Sequence, residues 1–187
     1  MSASKPRVLV PIADGTEEME FTIVVDVLRR AGVEVVTAGL DGTRPHRCSR
    51  GIAIVPDVPL AEVRGPFDLI VLPGGGEGSV RFERSAELGA VLRAQQAAGG
   101  GIAAICAAPS ALAAHGIGKG AAMTAHPSVR DAVAAHGQWC EESVVESGTI
   151  VTARGPGTAF EFALVLVARL CGDDIAARVR APMMFED

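Results

Sequence analysis

The sequence predicts an α/β fold, a mostly parallel sheet with helices on both faces. Three observations predict it. Short apolar runs rich in Val and Ile alternate with longer amphipathic segments from end to end. The runs are apolar throughout, as parallel strands buried on both faces are, rather than at every second residue. No repeat, linker or low-complexity segment interrupts the alternation, so the 187 residues are taken as one domain, 1–187, with a full-sized core.

"RVLVPIA" (7–13) reads as the first buried strand. "DGTEEMEFTIVVDVLRRAG" follows as a helix, with Thr16 as N-cap and glutamates in its first turn. Val24, Val27, Leu28 and Ala31 form its apolar face, and Gly32 ends it. "VEVVTAGL" (33–40) is a second strand. The turn-rich stretch 41–66 holds one short extended piece at "GIAIVP" (51–56). "FDLIVLPGGG" (67–76) is a strand running into a glycine loop, and "AELGAVLRAQQAAGG" (86–100) is a helix. "GIAAIC" (101–106) is the next core strand, with a helix from Pro109 to His115. "AMTAH" (122–126) reads as a strand before "PSVRDAVAAHG", where Pro127 suits a helix N1 position. "ESVVESGTIVTAR" is a hairpin around Ser147-Gly148. "GTAFEFALVLVARLCG" and "DDIAARVRA" are the last helices.

Apolar residues make up 49 % and charged residues 21 %, an ordinary globular balance. The net charge is −5 and no Lys/Arg run exceeds two residues, which argues against a nucleic-acid partner. The start, "MSASKPRVLVPIADG", does not read as a signal peptide, and no apolar stretch reaches the ~20 residues that span a bilayer. A cytoplasmic chain without a membrane partner is the expectation. Cysteines at 48, 106, 140 and 171 form no C-x-x-C pair and are expected to be reduced. His136 and Cys140 could share a helix face as metal ligands, but no third ligand lies near, so no metal site is assigned.

Ligands bind such sheets at the carboxyl ends of their strands. Three strands end in notable chemistry: Ala13-Asp14-Gly15 before Glu17, Glu18 and Glu20; Pro73 to Gly76; and Cys106. Cys106 falls where a strand stops and a helix starts, the placement of a nucleophile elbow; a buried inert thiol fits the same stretch. The amides of Ala107 and of the Gly74–Gly76 loop could hold a developing oxyanion. A free thiol has a pKa of ~8.5, and lowering it by about two units requires ~2.7 kcal/mol. A helix terminus supplies ~0.3–1 kcal/mol, ~2 at most, so a hydrogen-bond donor is needed. A buried glutamate that keeps its proton would serve, titrating with the thiol as a coupled pair. Helical spacing puts Glu17 and Glu20 on about the same side and leaves the choice open. His126 ends a strand and is a candidate base at the edge that carries Cys106. "GIGKG" (116–120) and "GPGTAF" (155–160) lack the spacing of nucleotide-binding loops.

Four segments in this order, "ADGTEEMEFTIVVDVLRRAG", "FDLIVLPGGG", "GIAAICAAPSALAAHGIG" and "TARGPGTAFEFAL", resemble the ThiJ/PfpI superfamily and its parkinsonism-associated deglycase branch. The match runs from about residue 5 to the "APMMFED" terminus. The resemblance implies a flavodoxin-like three-layer sandwich, a homodimer and a nucleophile elbow at Cys106. It selects Glu20, the last glutamate of "EEME", as the protonated partner, and matches His126 to the family's nearby histidine. Gly75 and Ala107 match its backbone oxyanion donors. Arg30 and Arg50 match arginines near the pocket mouth, or are plain surface charge. The implied activity is a cysteine-dependent glyoxalase or deglycase acting on methylglyoxal, glyoxal or their early adducts, without metal, nucleotide or glutathione. The alternative is a redox-sensing stress protein or chaperone that uses oxidation of the same cysteine. A peptidase or hydratase reading is weakened by Ala107, where the peptidase branch carries histidine.

Overall fold

The structure, a computed structural model, describes residues 5–185. Residues 1–4 of the amino-terminal stretch and 186–187 of the "APMMFED" segment lie outside that range. The chain runs β1 (Arg7–Ile12), α1 (Glu18–Arg30), β2 (Glu34–Gly39), β3 (His46–Arg47), β4 (Ala53–Ile54), β5 (Val58–Pro59) and β6 (Leu69–Leu72). It continues through α2 (Gly76–Arg84), α3 (Ala86–Ala97), β7 (Gly101–Ile105), α4 (Pro109–His115), β8 (Ala122–Met123) and α5 (Arg130–His136). β9 (Gln138–Trp139), β10 (Val144–Ser147), β11 (Ile150–Ala153), α6 (Ala159–Cys171) and α7 (Asp173–Arg180) complete it. Seven strands form one sheet in the order β10-β11-β7-β6-β1-β2-β5. Its pairs are parallel except β10 with β11, which the hairpin turn at Ser147-Gly148 makes antiparallel.

The pleat divides the core. Val8, Val10 and Ile12 pack with α1 and α6 through Val24, Leu28, Phe162 and Leu166. Leu9, Ile70 and Leu72 face the other way, against Phe82, Leu88, Leu92 and Leu112 of α2, α3 and α4. Continuous apolar strands are thus explained: both faces are covered. The result is the flavodoxin-like three-layer sandwich.

Three readings of the sequence need correction. Glu17, not Thr16, is the N-cap of α1; its carboxylate accepts from the Glu20 N–H at 2.8 Å. The Thr16 hydroxyl instead accepts from the Ala13 N–H at 3.1 Å, tightening the turn before it. The glycine loop after β6 leads directly into α2, a helix the sequence hides because Gly76 and Gly78 lower its propensity. Gly78 belongs there: a Cβ on it would lie 2.7 Å from the Thr16 backbone nitrogen. Finally, "AMTAH" does not join the main sheet. Only Ala122–Met123 are extended, pairing with β9, because β11 already carries β7 on one edge and β10 on the other.

Candidate active site

The carboxyl ends of β1, β6 and β7 meet as expected. The β1–α1 turn presents the backbone N–H of Glu17, which donates to the Gly74 carbonyl at 2.9 Å. The Gly74 N–H donates in return to Glu20 Oε2 at 2.7 Å. A Cβ on Gly74 would stand 2.6 Å from Cys106 Cβ and 2.7 Å from Glu20 Oε2, so only glycine fits between them. Gly75 has φ 96°, and a Cβ there would meet the Gly15 carbonyl oxygen at 2.2 Å. The glycine loop is therefore a spacer that lets the backbone wedge between the Cys106 side chain and the Glu20 carboxyl.

Cys106 sits one residue past β7 with φ 63°, a left-handed conformation that strains a residue with a side chain by roughly 1–3 kcal/mol. Its neighbours hold it there. The Cys106 N–H donates to the Ala153 carbonyl at 2.9 Å, continuing the β7–β11 ladder, and its carbonyl accepts from the His126 N–H at 2.7 Å. Such strain, held by both flanks, is the geometry of a nucleophile elbow. Ala107 is buried in the same cluster as Cys106. Cys106 keeps 9 % of its surface exposed, enough for access by a small molecule only.

The glutamates separate by partner. Glu17 caps α1. Glu18 binds the Ser49 hydroxyl at 2.9 Å and the Arg50 N–H at 2.8 Å, and so holds the loop between β3 and β4. Only Glu20 turns to Cys106. It is fully buried, and its Oε1 has no partner with hydrogen-bond geometry among the described residues. Burial pushes the Glu20 carboxyl up to about 7, against the Gly74 N–H and the Cys106 thiol, which pull it down.

Burial likewise pushes the Cys106 thiol up, to about 12. The Glu20 charge adds to the rise, and the Gly75 and Ala107 N–H groups oppose it. A thiol depressed by its surroundings, as the energetics of activation required, is thus not found while Glu20 is ionised. The two groups instead titrate as a pair: the first proton leaves near neutrality, and the second is held far into the alkaline range. In that interval one proton and one negative charge are shared. Thiolate forms when the proton moves from sulfur to Glu20, with no net charge entering the buried site.

The other expected residues fall at different distances. The amides of Gly75 and Ala107 act on the sulfur directly. His126 reaches the site by its backbone. Its ring is exposed, with Nδ1 2.8 Å from the Ser128 hydroxyl and accepting from the Ser128 N–H at 3.2 Å. Arg50 lies on the loop held by Glu18, its side chain exposed. Arg30 is ten residues beyond Glu20 on α1, about 15 Å along the axis, and pairs with Asp26 at 2.6 Å. His136 shares no site with Cys140; its Nε2 meets the Ile117 carbonyl at 2.7 Å. Sequence reasoning missed Gly74 as a contact of both Cys106 and Glu20, because a close approach across three strands leaves no local signature.

Comparison with known proteins places the whole chain in a family. The family model described as the DJ-1/PfpI family matches residues 6–169. "Parkinson disease protein 7 homolog" of Danio rerio is 47 % identical over 185 residues, covering 97 % of this chain and 98 % of that protein. "Glutathione-independent glyoxalase DJR-1.2" of Caenorhabditis elegans is 38 % identical and covers 98 % of each chain. The crystal structure of Drosophila melanogaster DJ-1beta superposes with a TM-score of 0.96 at 43 % identity, over 98 % of this chain and 100 % of that one. Sequence and backbone path agree along nearly the whole length, and this chain belongs to the DJ-1/PfpI family.

Proposed function

We propose that this protein converts methylglyoxal and glyoxal to lactate and glycolate without glutathione, through covalent catalysis at Cys106. The observation that carries the reading is the buried Glu20 carboxyl, one oxygen fixed by the Gly74 N–H and the other unpaired beside the thiol. A buried acceptor without a partner is costly unless a substrate group or a proton completes it. The C. elegans relative is named for this activity.

The reaction begins when Glu20 takes the thiol proton and the sulfur adds to the aldehyde carbon. A C–S bond forms, the carbonyl pair moves to oxygen, and the Gly75 and Ala107 amides receive the oxyanion. Glu20 returns its proton to that oxygen, giving a hemithioacetal. As a carboxylate it then removes the hydrogen from the former aldehyde carbon, and the electron pair passes into an enediol. Reprotonation at the neighbouring carbon leaves a thioester on Cys106. Water cleaves it, releasing lactate and restoring the thiol. No external oxidant or reductant enters, since one carbon is oxidised while its neighbour is reduced. Early adducts of the same dicarbonyls on amines are a second substrate class for the same sulfur.

The experiment is turnover of methylglyoxal by purified protein. Cys106→Ala abolishes lactate release and keeps the melting temperature. Retained release sinks the assignment of the nucleophile. For adducts, repair measured beside a scavenger of free methylglyoxal separates direct deglycation from removal of the free aldehyde.

A second reading has its own observation. A protonated Glu20 and the two amides would surround an oxidised sulfur with three donors. Peroxide would oxidise the thiolate to sulfenate and then sulfinate, being itself reduced to water. Mass spectrometry after mild peroxide, beside the turnover assay, decides between the two: selective dioxidation of Cys106 with negligible turnover favours sensing.

A homodimer is also proposed. Met19, Ile52 and Val55 are 53 %, 57 % and 62 % exposed. Glu18 ties the start of α1, which carries Met19, to the loop that leads to Ile52.

A further inference from the structure

A second cluster of chemistry lies at the ends of β1 and β2, outside the Cys106 site. Asp14, Asp41 and His46 bring their side-chain ligand atoms within 4.8 Å of one another. Carboxylates alone would say little, since acidic groups often share a surface. His46 is different. It is wholly buried, and its Nδ1 has no hydrogen-bond partner among the described residues. Its Nε2 lies 3.2 Å from the Gly42 carbonyl, which can only accept, so in the neutral ring Nε2 carries the proton and Nδ1 the lone pair. That lone pair stands 3.7 Å from Asp14 Oδ1.

Two lone-pair-bearing atoms this close call for a cation between them. The tautomer is the one metal-binding histidines use, with the far ring N–H held by a backbone carbonyl. For a tetrahedral zinc ion, ligand atoms stand about 3.3 Å apart, so Asp14 and His46 are within a small adjustment of that spacing. Asp14 stays ionised: hydrogen bonding from Arg44 first, and then the Arg47 N–H, hold it down at about 2 despite partial burial.

A cation already occupies the carboxylates. Arg44 Nη2 donates to Asp14 Oδ2 at 2.6 Å and to Asp41 Oδ2 at 3.1 Å, and Nη1 donates to Asp14 Oδ1 at 3.2 Å. The guanidinium makes no hydrogen bond to His46 Nδ1. One positive charge bridges two carboxylates, and the imidazole beside them is left without a donor. Arg44 is nearly half exposed, so it can swing to water without disturbing the core.

We propose that Asp14, Asp41 and His46 form a binding site for a zinc-like divalent cation, and that Arg44 is the resident cation such a metal displaces. An imidazole with two carboxylates suits ions of this class better than magnesium or calcium, which prefer oxygen alone. Water would complete the coordination. The Cys48 thiol lies two residues on, its sulfur 4.0 Å from the His46 carbonyl oxygen. Asp14 follows β1, Asp41 follows β2 and His46 opens β3, so no metal-site spacing marks them in the sequence.

Zinc titrated by calorimetry into the full chain tests this, in a Cys48→Ser/Cys106→Ala background that removes the nearby thiols. Arg44→Gln should tighten zinc binding, and Asp41→Asn should weaken it, each by about tenfold or more. Both positions are exposed enough for these variants to fold. Nitrogen-15 spectra of labelled histidine should show His46 Nδ1 shifting on zinc addition while Nε2 keeps its proton. Zinc affinity equal in all three chains, or a His46 signal unmoved by zinc, overturns the proposal. Either result would mean that binding is elsewhere.

Discussion

Cys106 holds a left-handed backbone at φ 63° only because both its peptide groups are anchored, to Ala153 and to His126. Glu20 holds a proton near neutrality only because it is buried. These two facts set the pH behaviour. Burial raises Glu20 from 4.5 to about 7, so the folded chain binds that proton more tightly than the unfolded chain does. The resulting stabilisation is complete below pH 4.5 and is lost as pH rises through about 7, a change on the order of 3 kcal/mol. Glu20→Gln removes this dependence. Urea denaturation at pH 5 and pH 8 should therefore show the wild type losing stability relative to the variant, and parallel losses would refute a raised Glu20. The same variant cannot move the thiol proton, and its kcat/KM for methylglyoxal should fall by about 10²–10⁴-fold. A kcat/KM near that of the wild type would remove Glu20 from the mechanism.

Between elements, the decisive contacts are glycine to backbone. The β1–α1 turn, the loop after β6 and the start of α2 approach so closely that side chains are excluded at Gly74, Gly75 and Gly78. Gly75→Ala meets both a positive φ of 96° and the Gly15 carbonyl, and should destabilise the protein by more than about 2 kcal/mol. Gly76, the first residue of α2, is open: a Cβ there would have nothing within 4 Å. Gly76→Ala should be neutral or stabilising by up to about 1 kcal/mol. Equal thermal shifts for the two variants would show that the loop is not a tight spacer. The helix α2 itself escaped sequence reading for the same reason. Its glycines lower helix propensity, yet Gly78 is what lets the helix lie against the Thr16 backbone.

At the scale of the molecule, one sheet supports two core layers, the site sits at its carboxyl edge, and Met19, Ile52 and Val55 are exposed apolar side chains. If a second copy covers these side chains, Ile52→Asp should halve the mass measured by light scattering and leave far-ultraviolet circular dichroism unchanged. A wild type already monomeric at tens of micromolar concentration would refute the dimer. Among the described residues no helix is long and apolar enough to cross a membrane, in line with the absence of a spanning stretch in the sequence.

Local pattern was enough for the α/β alternation, the main strands and helices, and the strand-to-helix placement of Cys106. Runs of Val and Ile, helical spacing of apolar residues, and Gly or Pro at the ends carry that information. Local pattern did not separate Glu17, Glu18 and Glu20, which share one short stretch of helix start; resemblance pointed to Glu20, and partners explain the division. Glu17 closes on its own helix, Glu18 on the Ser49 loop, and Glu20 on Gly74 and Cys106. Two features came from tertiary packing alone: the thiol is raised rather than lowered, and His46 faces Asp14. Burial and the approach of distant segments set both, and neither is written in the local order of residues.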